Sequence, residues 1–112
     1  MKIYHNPRCR KSRETLQLIE SKGVKPDIIE YLNTPPSEAE LKAILQKLDM
    51  NASDIIRKGE AIFKENFKGK EFTEAEWLSI LVKNPKLIER PIVVKGDKAV
   101  IGRPPENVLG LL

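Results

Sequence analysis

The chain has 112 residues, of which 40% are hydrophobic and 32% charged, with a formal net charge of +4 and a pI near 9.2. That length suits one domain with a single core, and the composition is that of an ordinary globule with no apolar run approaching a membrane span. The cationic excess favours an anionic partner, but aromatics are only 5% and no basic run alternates with stacking residues, so nucleic acid fits poorly.

Taken in order, residues 2–4 are predicted to form a short strand. Residues 6–22 follow as a helix with Leu16, Leu18 and Ile19 on its apolar side and Gly23 at its end. Residues 26–31, centred on Ile28-Ile29, give a second strand. Strand, helix and strand in this succession make a βαβ unit with parallel strands and a right-handed crossover. Ser37-x-x-Glu40 is a capping box, and Leu41, Ile44, Leu45 and Leu48 follow at helical spacing. Residues 51–58 read as a short helix delivering Arg57, and 61–66 as a partly helical connection. Thr73-x-x-Glu76 is a second capping box, opening a helix with Trp77, Ile80 and Leu81 on one face that stops near Asn84-Pro85. Residues 91–95 and 98–101 form a hairpin across Gly96-Asp97, where the leading glycine favours a type II′ turn. A short helix from Pro104 or Pro105 closes the chain. The sum is an α/β fold of thioredoxin or glutaredoxin type: a four-stranded mixed sheet, β-α-β then β-β-α, with a helical insertion between strands 2 and 3. The expected organisation is one domain, 1–112, with its core from 1–32 and 88–112 and the insertion at 33–87.

The chemistry concentrates in His5-Asn6-Pro7-Arg8-Cys9-Arg10-Lys11-Ser12-Arg13, which holds the only cysteine and the only histidine. Asn6-Pro7 is a helix-start pair and puts Cys9 in the first turn. There, free N–H groups, the helix dipole and the neighbouring cations favour thiolate over thiol. The alternative is a small buried cysteine kept for packing. One Cys and one His do not make a four-ligand zinc set, and no bound metal or cofactor is expected. A lone cysteine forms no internal disulfide, and Met1-Lys2 leads directly into Ile3-Tyr4 without an apolar leader, so the expected compartment is the cytoplasm.

Ser12 occupies the position where a Cys-x-x-Cys motif carries its resolving thiol, so an oxidised Cys9 needs an external thiol such as glutathione. Thr15 stands where a phosphatase loop requires arginine. In thioredoxin-like folds a cis proline commonly precedes the third strand opposite the active cysteine. A cis peptide is therefore predicted at Pro91, with Arg90 turned toward Cys9. Arg57 and Arg103, at predicted element ends, could join it around a tetrahedral anion, which guanidinium grips by paired hydrogen bonds. Taken singly, each arginine also fits a solvated surface position. His5 could stabilise the thiolate or move a proton, or simply bond to backbone. Ser12 could donate to the Cys9 sulfur or cap a helix that starts later.

A family resemblance rests on Tyr4-His5-Asn6-Pro7-x-Cys9-x-x-Ser12-Arg13-x-Thr15-Leu16, Tyr31-Leu32-x-x-Pro35-Pro36 and Ile55-Ile56-Arg57-Lys58. It continues through Asn84-Pro85-x-Leu87-Ile88-x-Arg90-Pro91-Ile92-Val93-Val94 and Gly102-Arg103-Pro104. Over nearly its whole length the chain resembles the glutaredoxin-dependent arsenate reductases of bacteria. The resemblance implies attack of Cys9 on arsenate, addition of glutathione, release of arsenite and reduction of a mixed Cys9–glutathione disulfide by glutaredoxin. It also implies that Cys9 is the nucleophile, that His5 and Ser12 tune it, and that Arg57, Arg90 and Arg103 hold the oxyanion. Two other readings of the same fold are a Spx-like regulator that binds RNA polymerase and a glutathione-dependent thiol oxidoreductase.

Overall fold

Four strands of four residues each pair into one sheet: β1 (Lys2–His5), β2 (Asp27–Glu30), β3 (Ile92–Lys95) and β4 (Lys98–Ile101). In this computed structural model, which describes residues 1–112, the strand order is β2-β1-β3-β4. β1 runs parallel to β2 and antiparallel to β3, and β3 pairs antiparallel with β4. This is the mixed thioredoxin-like sheet that the order of elements predicts. Gly96, at the hairpin, has φ +60° while Asp97 stays outside the positive region, the pattern of the predicted type II′ turn.

The chain divides into two compact units, Met1–Thr34 with Arg90–Leu112, and Pro35–Glu89. The first holds the sheet, the helix α1 (Arg10–Ser21) and a C-terminal 3-10 helix, Pro105–Leu111. Alternation along β1 and β3 turns Ile3 and Val93 to one face, where Ile19 of α1 and Val108 and Leu111 of the 3-10 helix cover them. Ile3, Ile19, Val93 and Val108 are fully buried, each contributing about 1.5–3 kcal/mol of apolar burial. Ile28 pairs with Ile3 but lies on the edge strand β2 and stays 49% exposed. Two elements differ from the prediction: α1 starts four residues later than residue 6, and the terminal helix is 3-10 rather than α.

The second unit contains α2 (Glu38–Leu48), α3 (Ala61–Asn66) and α4 (Glu74–Lys83). Ser37 accepts the Glu40 N–H at the start of α2, and Leu41, Ile44 and Leu45 form its buried stripe. Phe63, Phe67, Phe72 and Trp77 stack into an aromatic cluster, with Phe72 and Trp77 edge to face at 4.7 Å between centroids. The helix predicted over 51–58 is only a 3-10 turn, Ala52–Ile55. Ile56 leaves it in extended conformation to bridge Ile88, and the Arg57 N–H donates to Leu87 O at 2.8 Å. Branching at Cβ in Ile55-Ile56 favours that exit over a further helical turn. No helix of the chain is long and apolar enough to cross a membrane.

At the start of α4 the Thr73 hydroxyl accepts the Glu76 N–H at 3.2 Å and the Glu76 carboxylate accepts the Thr73 N–H at 2.9 Å. The Thr73 N–H, and after it the Thr73 side chain, hold the Glu76 carboxylate below its ordinary range. A depressed carboxylate adds stability that is complete above its unfolded pKa and fades as pH falls through its folded one. Thr73→Ala is expected to destabilise the protein by about 1 kcal/mol at neutral pH. Urea titrations at pH 7 and pH 3 should show the gap to wild type narrowing in acid.

Candidate active site

The segment leaving β1 forms a turn before it becomes a helix. The Cys9 N–H donates to Asn6 O at 3.0 Å, closing a turn with Pro7 at its second position, and Asn6 Oδ1 accepts the Arg8 N–H at 3.0 Å. Asn6-Pro7 thus builds the turn and not the predicted helix start. Cys9 itself is the N-cap of α1, with φ −94° and ψ 122°, and its carbonyl accepts the first helical N–H, from Arg13. Its side chain makes no capping bond. Cysteine is a poor cap beside Ser, Thr, Asp or Asn, so the first-turn N–H groups are left facing the space beside the sulfur.

Cys9 is 8% exposed, more enclosed than a surface thiol. Arg103 Nη1 lies 3.9 Å from Cys9 Sγ, within bonding distance of the sulfur. Arg90 and Arg103 flank β3 and β4 in the same unit, and both Arg90-Pro91 and Arg103-Pro104 are cis peptides. The cis bond predicted at Pro91 is present; the second was not foreseen. Arg57 belongs to the other unit, where its guanidinium pairs with Glu60.

Of the four cations around Cys9, two are directed outward: Arg10 Nε and Lys11 Nζ meet Glu14 at 3.0 and 3.6 Å on the exposed side of α1. Arg13 Nη1 donates to Pro7 O at 3.0 Å and braces the turn. Of the nearby cations, Arg103 is the one placed against the sulfur, while Arg10, Lys11 and Arg13 are bonded elsewhere.

His5 and Ser12 are both buried, and His5 Nδ1 and Ser12 Oγ share a hydrogen bond of 2.6 Å. Ser12 Oγ also accepts the Asn6 N–H at 3.1 Å. Ser12 Oγ is thereby engaged with His5 and the turn, and the cap of α1 is Cys9, which corrects the capping role considered for Ser12. Burial lowers the His5 pKa from its usual 6.5, and Arg13 adds to that, while Glu30, its register partner on β2, and Glu20 oppose it. That direction favours the neutral imidazole over the imidazolium considered for thiolate stabilisation.

Two further residues are paired in a way their sequence positions do not reveal. Thr15, fully buried on α1, shares its hydroxyl proton between Lys11 O at 2.9 Å and Gly102 O at 3.0 Å. The Gly102 N–H donates to Pro91 O at 2.9 Å. A Cβ on Gly102 would lie 2.7 Å from Thr15 Cγ2 and Oγ1 and 3.0 Å from Pro91 Cγ, so glycine is required by close approach. This tie fixes the residue before Arg103 to the helix that carries Cys9.

Gly102→Ala is expected to destabilise by about 1–3 kcal/mol through overpacking. Thr15→Ala/Gly102→Ala should lose less than the sum of the single variants, since Thr15→Ala vacates the space; equal sums in denaturant titrations would remove the clash from the explanation. For His5, the chain's only histidine, a proton NMR titration should give a midpoint below 6.5. A lowered base pKa makes the folded state bind fewer protons than the unfolded one. The His5 contribution to stability is thus complete above the unfolded pKa and lost as pH falls from there toward the folded pKa.

The sequence profile of the ArsC family matches residues 4–111. The uncharacterized protein YfgD of Escherichia coli K12 is 49% identical over 114 residues, covering 100% of this chain and 96% of that one. The arsenate reductase of Haemophilus influenzae is 46% identical, covering 98% of this chain and 97% of its own. The solved structure of arsenate reductase from Vibrio cholerae has a TM-score of 0.94 at 46% identity, covering 99% of this chain and 96% of that one. On a profile match spanning nearly the full length, with relatives approaching half identity, the chain belongs to the ArsC family.

Proposed function

We propose that the protein reduces arsenate to arsenite in the cytoplasm, with Cys9 as nucleophile and glutathione and glutaredoxin as external reductants. The observation that carries this reading is the Arg103 guanidinium 3.9 Å from an uncapped cysteine at the start of a twelve-residue helix. A helix start with open N–H groups attracts an oxyanion, and a guanidinium beside it adds charge and paired donors. Arg90, next to the cis Pro91, is the second proposed oxyanion ligand. For Arg57 the support is the family resemblance alone. His5 and Ser12 are proposed to hold the turn in shape and to keep a neutral proton acceptor close to the nucleophile.

The Cys9 sulfur attacks arsenic, an S–As bond forms and one arsenate oxygen leaves as water. A glutathione thiol then adds to the same arsenic with loss of a second water. An S–S bond forms between the two sulfurs as both S–As bonds break. One electron pair stays on arsenic, which passes from the V to the III state and, after taking up one water, leaves as arsenite. The Cys9–glutathione disulfide that remains is attacked by a glutaredoxin thiolate, which frees Cys9. Each turnover consumes one arsenate and two thiols and yields one arsenite, one disulfide and one net water.

Cys9→Ser should reduce arsenite production, measured with arsenate, glutathione and glutaredoxin, to the level without protein. The same variant should be as stable as wild type or more so, because serine caps the helix that cysteine leaves open. Arg103→Ala should lower kcat/KM for arsenate on the order of tenfold, the loss of one charge-assisted contact. Full turnover by Cys9→Ser would refute the reading.

A further inference from the structure

We propose that the pocket on the β2 side of the Cys9 turn is the seat of the thiol co-substrate, with Arg8 taking a carboxylate of glutathione and Glu30 its ammonium. The proposal rests on the reading above, in which an external thiol completes the reaction. The pocket measures ≈ 350 Å³ and is lined by His5, Asn6, Arg8, Glu30, Leu32 and Asn33 beside Pro7. It lies at the carboxyl ends of β1 and β2, where open α/β sheets bind ligands. Its volume falls within the range of small-molecule sites.

Arg8 is what separates this pocket from an ordinary surface dent. The chain has six arginines, and five are engaged within the protein. Arg10 meets Glu14, Arg13 meets Pro7 O, Arg57 meets Glu60, and Arg90 and Arg103 also have partners. The Arg8 guanidinium meets none, although Arg8 adjoins the nucleophile in the chain. Its backbone N–H is fixed by Asn6 Oδ1, so the side chain leaves from a defined turn. Opposite it, the Glu30 carboxylate receives a single long bond from the Asn33 amide, 3.4 Å, and keeps further acceptor positions open.

A cation, a carboxylate, amide groups and an exposed leucine suit a small peptide zwitterion better than a tetrahedral oxyanion, which Glu30 would repel. Glutathione carries two carboxylates and one ammonium around its thiol. The sheet order puts β2 on one side of β1 and β3 on the other, so this pocket and the Arg90 and Arg103 side flank the Cys9 turn from opposite directions. In this arrangement the two reactants do not compete for one set of cations. His5 Nδ1 is held by Ser12 while its second ring nitrogen meets no protein group, and His5 lines the pocket beside Arg8.

The test uses S-methylglutathione, which cannot react, titrated into the 15N-labelled protein. Shifts are expected at residues 5–8 and 30–33, with binding weakened about two- to fivefold in Arg8→Ala, the scale of one exposed ion pair, and further in Arg8→Glu. Glu30→Gln should weaken it similarly, and Arg10→Ala should leave it unchanged. In turnover, Arg8→Ala should raise KM for glutathione and leave KM for arsenate as it is. Binding unaffected by Arg8→Glu, or shifts confined to Pro91 and Arg103, would overturn the subsite. Arg8-dependent binding in a wild-type protein that reduces no arsenate would uphold the subsite and overturn the arsenate reading instead.

Discussion

The hydrogen bond from Thr15 Oγ1 to Gly102 O is the constraint on which the local geometry depends. Apolar packing of Ile3, Ile19, Val93 and Val108 holds α1 against the sheet, but packing is non-directional and tolerates small slips of a helix along its axis. A buried donor and a buried carbonyl do not tolerate them, because separation leaves both without water. The bond ties residue 15 to residue 102, and the Gly102 N–H passes the tie to Pro91 O. Three segments remote in sequence are thereby set in one register. One ends in Cys9, one begins at Arg90, and one leads into Arg103. The 3.9 Å contact of Arg103 with the sulfur is a consequence of that register. Gly102 is part of the same constraint, since any Cβ there would push against the hydroxyl that makes the bond.

Charge is distributed less simply than the run around Cys9 suggests. The sheet-bearing unit has eleven Lys and Arg against six Asp and Glu, a net +5, while Pro35–Glu89 has nine against ten. Within the basic unit, Arg10 and Lys11 spend their charge on Glu14, and exposed pairs of that kind contribute little to stability. Arg13 is a structural brace. What is left near the nucleophile is one arginine on either side, Arg103 in contact with the sulfur and Arg8 without a partner. Beside the nucleophile, the local run of charge thus leaves two separate positions.

Most of the architecture was legible because its signals are local. The capping residues Ser37 and Thr73, the apolar spacing in α2, Gly96 at the hairpin and the order of elements each depend on a few neighbouring residues. Cys9 and Arg103 were legible as candidates by residue type and position. Ser12 and His5 were legible as a neighbourhood but not as a pair, since their bond depends on how the turn at Asn6–Cys9 folds back. The start of α1 was misplaced because Asn6-Pro7 serves equally well to open a helix or a turn. Thr15 and Gly102 were invisible as partners: they stand 87 residues apart, and a threonine on a helix normally reads as a neutral helical residue. The helix expected over 51–58 gave way to the Ile56–Ile88 bridge, another pairing that local propensity does not encode.

Ser12 is part of the fabric of the loop that presents Cys9. Its hydroxyl is fully buried, meets His5 Nδ1 at 2.6 Å and receives the Asn6 N–H at 3.1 Å. A thiol at that position would be longer and a far weaker acceptor, and would leave the Asn6 N–H and the imidazole poorly satisfied in a buried site. The turn that presents Cys9 is thus built from the atom that a resolving cysteine would have to replace. Cys9 is the only cysteine of the chain, so in the proposed reaction the electrons that restore it come from a thiol outside the chain. An external thiol needs its own approach to the sulfur, separate from the oxyanion's. The open Arg8 pocket on one side of β1 and the arginines of β3 and β4 on the other meet that requirement.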